Sequence, residues 1–430
     1  MAQVVPFCGV RYNPQTVDDV GKVIAPPYDV IKTDERMTLE NRHPNNIVRL
    51  ILSPPDDNDT ETDNQYTRAA GRLRDWISTE VLAQDISPCY YIYDQTFTTP
   101  DGRTYTRRAL VGAGKLEPFG TGVVFPHEKT LAAPKADRLN LMRQCHANLS
   151  PIFLLYSDLE GEIENAMARF IAANAPVVDV SERFGTTHQL WRIDDVQINQ
   201  EIQSLFSSKS LVIADGHHRY ETALAFRDEI RAQSPQWTGE EGYNYVMMNL
   251  VRMESPGLAV LAIHRLLSGL SSNQISQAID QLPKSFDVTA TNNLTQLLEN
   301  LHALSGKRPA FGMYTGGDVY RLLVPQIDED TEISVYDRLD VTLLHTRVIE
   351  QLFGIDITIP EHQKQISYTV KTDEAVQYVK DSGGRVALFM NPTPVSQASA
   401  IAMGSQTMPQ KSTYFYPKMA TGLVLNLLKD

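Results

Sequence analysis

Only three cysteines, Cys8, Cys89 and Cys145, occur in 430 residues, and they stand far apart. That spacing argues against a disulfide framework and a CxxC zinc site, and it suits a reducing compartment. No apolar run is long enough to cross a bilayer, and the opening MAQVVPFCGVRYNP has no basic stretch leading into an apolar one. The expectation is a cytoplasmic chain without a membrane partner. Basic residues are in deficit: 39 Lys and Arg face 52 Asp and Glu, giving a net charge of -13 with no basic tail. Nonspecific nucleic-acid binding is therefore not expected. Neither GxxxxGK[ST] nor GxGxxG occurs, so Walker and Rossmann nucleotide sites have no support. Internal repeats and low-complexity tracts are absent as well.

What is present is an ordinary globular composition, 42% hydrophobic and 21% charged, in a chain long enough for two or three domains. One stretch organises it, SLVIADGHHRYETALAF at 210–226. Leu211, Val212 and Ile213 read as a strand, Asp215-Gly216 as a tight turn, and Ala223, Phe226 and Ile230 as the apolar face of a helix. His217, His218 and Arg219 then fall in the first helical turn, where unpaired backbone N–H groups and the positive end of the dipole suit a phosphate or carboxylate. Cations there are unfavourable for the helix alone, which points to an anion. The competing reading is a plain helix capped by Asp215, with the histidines facing solvent.

Along the chain, the prolines of Ala25-Pro26-Pro27-Tyr28-Asp29-Val30 forbid regular helix and make either a stiff connector or a rigid loop presenting Asp29. The acidic stretch at 54–65 lacks the glycine and glutamate of a calcium loop. A helix is expected over 66–83 with Leu73, Trp76 and Ile77 inward, and a hairpin over 89–115 turning at Pro100-Asp101-Gly102. His127-Glu128 has no second histidine at zinc-protease spacing, so Glu128 is a general base or a solvated residue. Residues 135–145 read as a helix, and 150–157 and 243–251 as buried strands. His264-Arg265 reads as a strand edge. From about 268, polar-faced amphipathic helices take over, a further helix is expected over 338–354, and Thr372 is placed as the cap of another. Near the end, Lys411, Ser412, Thr413 and Lys418 cluster with aromatics, either lining a pocket or forming a surface turn.

Six blocks carry a resemblance: PPYDV at 26–30, HPNNIVRL at 43–50, HEKT with DRLNL at 127–141, SPIFLLY at 150–156, IADGHHRYETAL at 213–224 and MPQKSTYFYPK at 408–418. Together they resemble a widespread microbial family, a domain of unknown function numbered 1015. The central block is in turn similar to the phosphate-binding turn of the ParB and sulfiredoxin superfamily, and most of all to the Asp-Gly-His-His-Arg of its free-serine kinases. The chain lacks the cysteine of sulfiredoxins at position 217 and the basic domain of ParB proteins.

The resemblance implies an α+β fold with a ParB/sulfiredoxin-like nucleotide-binding central unit over 121–268. Mixed α/β segments over 1–120 and 269–430 would flank it. It implies that Gly216, His217, His218 and Arg219, with Lys411, hold the phosphates of ATP or ADP. Asp215 would lie by the reacting hydroxyl and hold Mg²⁺, and Glu128 would act as base. The activity implied is a kinase moving a phosphoryl group to a small hydroxyl compound such as free serine. Two other readings stand beside it, a nucleotide-binding switch without turnover and a metal-dependent hydrolase. The hydrolase is disfavoured because adjacent His217 and His218 point to different sides of a helix.

Overall fold

The computed structural model describes the chain apart from residues 129, 131, 183–184, 235, 328–333, 335, 405, 410 and 429–430. It divides into two compact units, Met1–Pro126 with Thr130–Ala259 and Pro417–Asp430, and His127–Lys129 with Val260–Tyr416. The fold is α+β. No helix among the described residues is long and apolar enough to cross a membrane.

The first unit opens with β1 (Val4–Val5); past a short strand at Val10–Tyr12, the helices Thr33–Arg42 and Val48–Ile51 and a polar loop comes α1 (Gln65–Ser78). Asn64 starts α1 through a capping box with Thr67, and the helix buries Leu73 and Trp76 as their spacing predicts. The expected hairpin is β2 (Tyr90–Thr98) and β3 (Thr104–Lys115), paired from Thr98 opposite Thr104 inward. Its turn needs a positive φ, and Gly102 supplies +84°. Then come β4 (Val124–Phe125), α2 (Ala132–Cys145), β5 (Ile152–Tyr156), β6 (Val178–Ser181) and β7 (Thr187–Ile193). The central stretch forms β8 (Leu211–Asp215) and α3 (His217–Gln233), and β9 (Tyr245–Arg252) closes the set.

Nine strands make one sheet in the order β4-β8-β5-β9-β3-β2-β7-β6, with β1 also paired to β3. β5 lies between β8, antiparallel, and β9, parallel, and all five of its residues are buried. A strand buried on both faces reads as an unbroken apolar run, and this is why IFLLY shows no alternation. Ile152, Leu154, Ile213, Tyr220 and Ala223 share one core beside this sheet. α3 is thereby fixed against the strands that carry it.

The second unit contains β10 (His264–Leu267), α4 (Ser272–Gln281), β11 (Phe286–Thr291), α5 (Leu294–Ala303), β12 (Phe311–Tyr314) and β13 (Tyr320–Pro325). It continues with α6 (Asp340–Leu343), β14 (Ile366–Thr369), α7 (Thr372–Lys380) and β15 (Val386–Met390). Its six-stranded sheet runs β11-β13-β12-β15-β10-β14, antiparallel throughout. Three sequence expectations change here. β10 is an inner strand, and His264 and Arg265 are buried in it rather than standing at an edge. Thr372 is the first residue of α7, and Lys371, without a side-chain cap, precedes it. The 338–354 helix continues from α6 as a π-helix over Leu344–Glu350.

Candidate functional site

β8 does not run straight into its turn. Val212 and Ile213 pair with Leu155 and Leu154, but Asp215 pairs with Phe153, so Ala214 is an extra residue in a β-bulge. Bulges re-aim the side chain that follows them. Here that side chain is Asp215, which leaves the sheet as a buried carboxylate instead of capping the helix. The N-cap of α3 is Gly216, at φ +94° and ψ 29°, a left-handed conformation that suits glycine. With no side chain, Gly216 brings no cap of its own to the first turn.

Both Asp215 oxygens meet cations. Arg219, one turn on, donates Nη2–H to Oδ2 at 2.6 Å, and Lys418 donates from Nζ to Oδ1. The Arg219 and Lys418 side chains are 11% and 15% exposed, and that of Asp215 is 12% exposed. Burial alone would raise the Asp215 carboxyl, but Lys418 and Arg219 outweigh it, with His217 adding to them, and hold it well below the usual carboxylate range. Arg219 also donates Nη1–H to the carbonyl of Pro151. Its planar fork thus ties the helix start to the loop before β5.

Lys418 is held in turn from the hairpin. Arg107, fully buried on β3, donates Nη2–H to Gln95 Oε1 at 2.5 Å and to the carbonyl of Pro417 at 2.6 Å. Gln95 Nε2 donates to the carbonyl of Lys418 at 3.2 Å. The Arg107 guanidinium lies 5.6 Å from the Phe97 ring and 5.2 Å from the Phe153 ring. Burial lowers it to about 10, while Tyr93 and Asp215 act to keep it charged. Three cations, Arg107, Arg219 and Lys418, therefore gather around one carboxylate in a chain of net charge -13. His217 is buried and His218 half-buried beside them. On the other side of α3, Glu221 accepts from Lys135 at 2.6 Å and from Thr130 Oγ1 at 2.8 Å, pinning the helix to α2.

Next to Arg219 lies a cavity of about 40 Å³, lined by Tyr28, Arg138, Asn148 and Thr222 among others. A larger one of about 430 Å³ shares Ile51, Arg138 and Leu141 with it. Tyr28 enters from the proline-fixed PPYDV loop, and Arg138 covers its ring at 4.0 Å. Tyr28 is half-buried against the cavity, and Asp29 beside it is exposed.

The sequence-selected residues fall into two sets. Asp215, Gly216, His217, His218 and Arg219 come together in the first unit. Glu128 and Lys411 come together in the second, where the Lys411 N–H donates to Glu128 Oε1 at 3.1 Å. Lys411 has φ +60°, and its carbonyl accepts from the buried Arg265 at 2.9 Å. His127 Nε2 meets Thr413 Oγ1 at 2.9 Å in the same place. The lysine that reaches Asp215 is Lys418, seven residues past Lys411; its signal was its place in the KSTYFYPK block. Arg107 was missed altogether, because an arginine within a strand has no spacing pattern to mark it.

A magnesium ion is the group the resemblance would place on Asp215. Both carboxylate oxygens are already taken by cations, and an ion there would meet Lys418 and Arg219 in its own shell. Among the described residues no group of three or more His, Cys, Asp and Glu could hold a metal. The residues present do not fit a protein-held ion at Asp215.

The class these features define is an α+β protein with a strand–turn–helix site whose one carboxylate is held between cations. The family described as Protein of unknown function (DUF1015) matches residues 4–342, and the chain belongs to it. A search of curated proteins finds no match. Among solved structures, the chain is similar to a mutant free serine kinase in complex with ADP, at 9% identity and a TM-score of 0.37, over 71% of this chain and 88% of that one. It is also similar to SbnI with a C-terminal truncation from Staphylococcus aureus, at 10% identity and a TM-score of 0.36, over 74% and 87%. A conserved hypothetical protein from Pyrococcus furiosus matches at 11% identity and a TM-score of 0.33, over 70% and 92%.

Proposed function

We propose that the first unit binds a nucleotide, ATP or ADP, by its phosphates at the start of α3 and passes a phosphoryl group to a small hydroxyl compound such as free serine. The observation that carries this reading is the buried Asp215 held between Lys418 and Arg219 at a glycine-capped helix start. A helix N-terminus favours anions through its N–H groups and dipole, and cations gathered there add to it. Phosphoryl transfer asks mainly for in-line positioning and positive charge on the moving group. Lys418, His217 and His218 are the proposed phosphate ligands, with Arg107 adding charge from beneath. Arg219, spent on Asp215 and Pro151, acts by holding the turn in shape. The acceptor class comes from the resemblance of DGHHR to the free-serine kinases.

The test is incubation of the full chain with Mg-ATP or Mg-ADP and a pool of amino acids and sugars, followed by phosphorus NMR. A phosphorylated acceptor is the expected product. Tight nucleotide binding with slow, acceptor-independent hydrolysis would instead leave a nucleotide-binding switch.

A further inference from the structure

The cavity of about 430 Å³ in the first unit lies against α2, the helix that Lys135 and Glu221 pin to α3. Its volume falls within the span of small-molecule pockets, roughly 300–1,000 Å³. Asp137, Arg138 and Leu141 line it from α2, Tyr66 from the start of α1, and Arg36 from the helix Thr33–Arg42. Ile31, Leu50, Ile51, Leu52, Pro54 and Pro55 supply apolar wall.

The charges in that lining are matched by short contacts. Arg138, whose side chain is 10% exposed, donates Nε–H to Asp137 Oδ2 at 2.8 Å and Nη1–H to the Ile51 carbonyl at 2.7 Å, while its face covers Tyr28. Arg36 donates to Glu40 Oε1 at 2.7 Å. Each cation thus already has a carboxylate, and the lining has no surplus positive charge to draw an amino acid's carboxylate or a phosphate. What it does have is acceptor capacity. Tyr66 donates its hydroxyl to Asp137 Oδ1 at 2.8 Å, which occupies one lone pair of that oxygen and leaves the other. A carboxylate braced from two sides and set among apolar walls suits a flat, uncharged group with an N–H to donate.

The cavity shares Ile51, Arg138 and Leu141 with the small one lined by Arg219 and Thr222, which sets it beside the first turns of α3. We propose that it seats the adenine of the nucleotide, with Asp137 accepting a hydrogen bond from the exocyclic amine; this rests on the phosphate site proposed at the start of α3. Tyr66 and Arg138 are positioning residues that hold the carboxylate. Inosine diphosphate tests the assignment, because its base carries a carbonyl oxygen where adenine carries the amine. Two acceptors would then face each other without a proton between them, and a polar group left unpaired in a site is costly.

The experiment is calorimetric titration of the full chain with ADP, inosine diphosphate, adenosine and inorganic pyrophosphate. ADP is expected to bind at least about tenfold tighter than inosine diphosphate, and adenosine to bind by itself. Asp137→Ala should erase that preference and the adenosine binding while leaving pyrophosphate affinity at its wild-type value. Tyr66→Phe, which removes only one brace, should narrow the preference. Equal affinity for the two diphosphates, a preference that survives Asp137→Ala, or a pyrophosphate affinity that falls with it overturns the assignment. Binding of pyrophosphate as tight as that of ADP, with none of adenosine, would keep the phosphate site and reject the adenine cavity. Adenosine binding that Asp137→Ala abolishes, with no binding of pyrophosphate, would keep the cavity and reject the phosphate site.

Discussion

Replacing Asp215 by Ala is expected to lower stability by about 3–5 kcal/mol, the loss typical when one partner of a buried ion pair is removed. The reason is what remains. Lys418 and Arg219 are largely buried, and Asp215 is the carboxylate both of them meet. Without it, both cations lose the carboxylate they share, while Arg219 keeps the Pro151 carbonyl. Urea unfolding at pH 7 reads the effect directly, and a loss under about 1 kcal/mol would place the pair in the weak class of solvent-exposed bridges. Adding Lys418→Met to Asp215→Ala should recover part of the loss, since it removes one of the two buried charges that Asp215 had met. The acid side follows from the same geometry. The folded-state carboxyl is held below its unfolded value, so its contribution is complete above the unfolded pKa, about 3.9. It then fades as pH falls from there toward the folded value. Wild type should therefore lose stability on acidification more steeply than Asp215→Asn.

Gly216→Ala is the second large effect, on binding as much as on stability. At φ +94° an added Cβ is strained by about 1–3 kcal/mol whatever surrounds it. It would also stand 3.0 Å from three atoms of the Arg219 guanidinium. Arg219 must then move, and with it the fork that joins Asp215 to Pro151. ADP affinity is expected to fall by at least about tenfold, which corresponds to about 1.4 kcal/mol. A Gly216→Ala protein with wild-type stability and wild-type ADP affinity would show that the left-handed turn is not what shapes the site.

Much of the local structure was legible because local chemistry decides it. The strand, turn and helix of 211–233 follow from an apolar run, a glycine and a 3.6-residue period, and the hairpin follows from Pro100-Asp101-Gly102. Leu73 and Trp76 turn inward as their spacing requires. What the sequence concealed depends on partners far along the chain. The bulge at Ala214 is set by pairing with Phe153, and it turned Asp215 from a helix cap into a buried carboxylate. The Lys418–Asp215 contact spans 203 positions, which no periodicity marks. His264 and Arg265 look like edge residues because they are polar, yet β10 has a strand on either side. The π-helical stretch after α6 shares its apolar pattern with an ordinary helix, so 338–354 gave no warning of it.

Titration of the purified full chain with ADP, followed by calorimetry and repeated on Lys418→Met, tests the central claim most directly. Saturable one-to-one binding by the wild type is expected, weakened about tenfold or more in Lys418→Met, as loss of a charged phosphate contact predicts. No binding of ADP or ATP by the folded wild type, or equal binding by a folded Lys418→Met protein, would contradict a phosphate site at the start of α3.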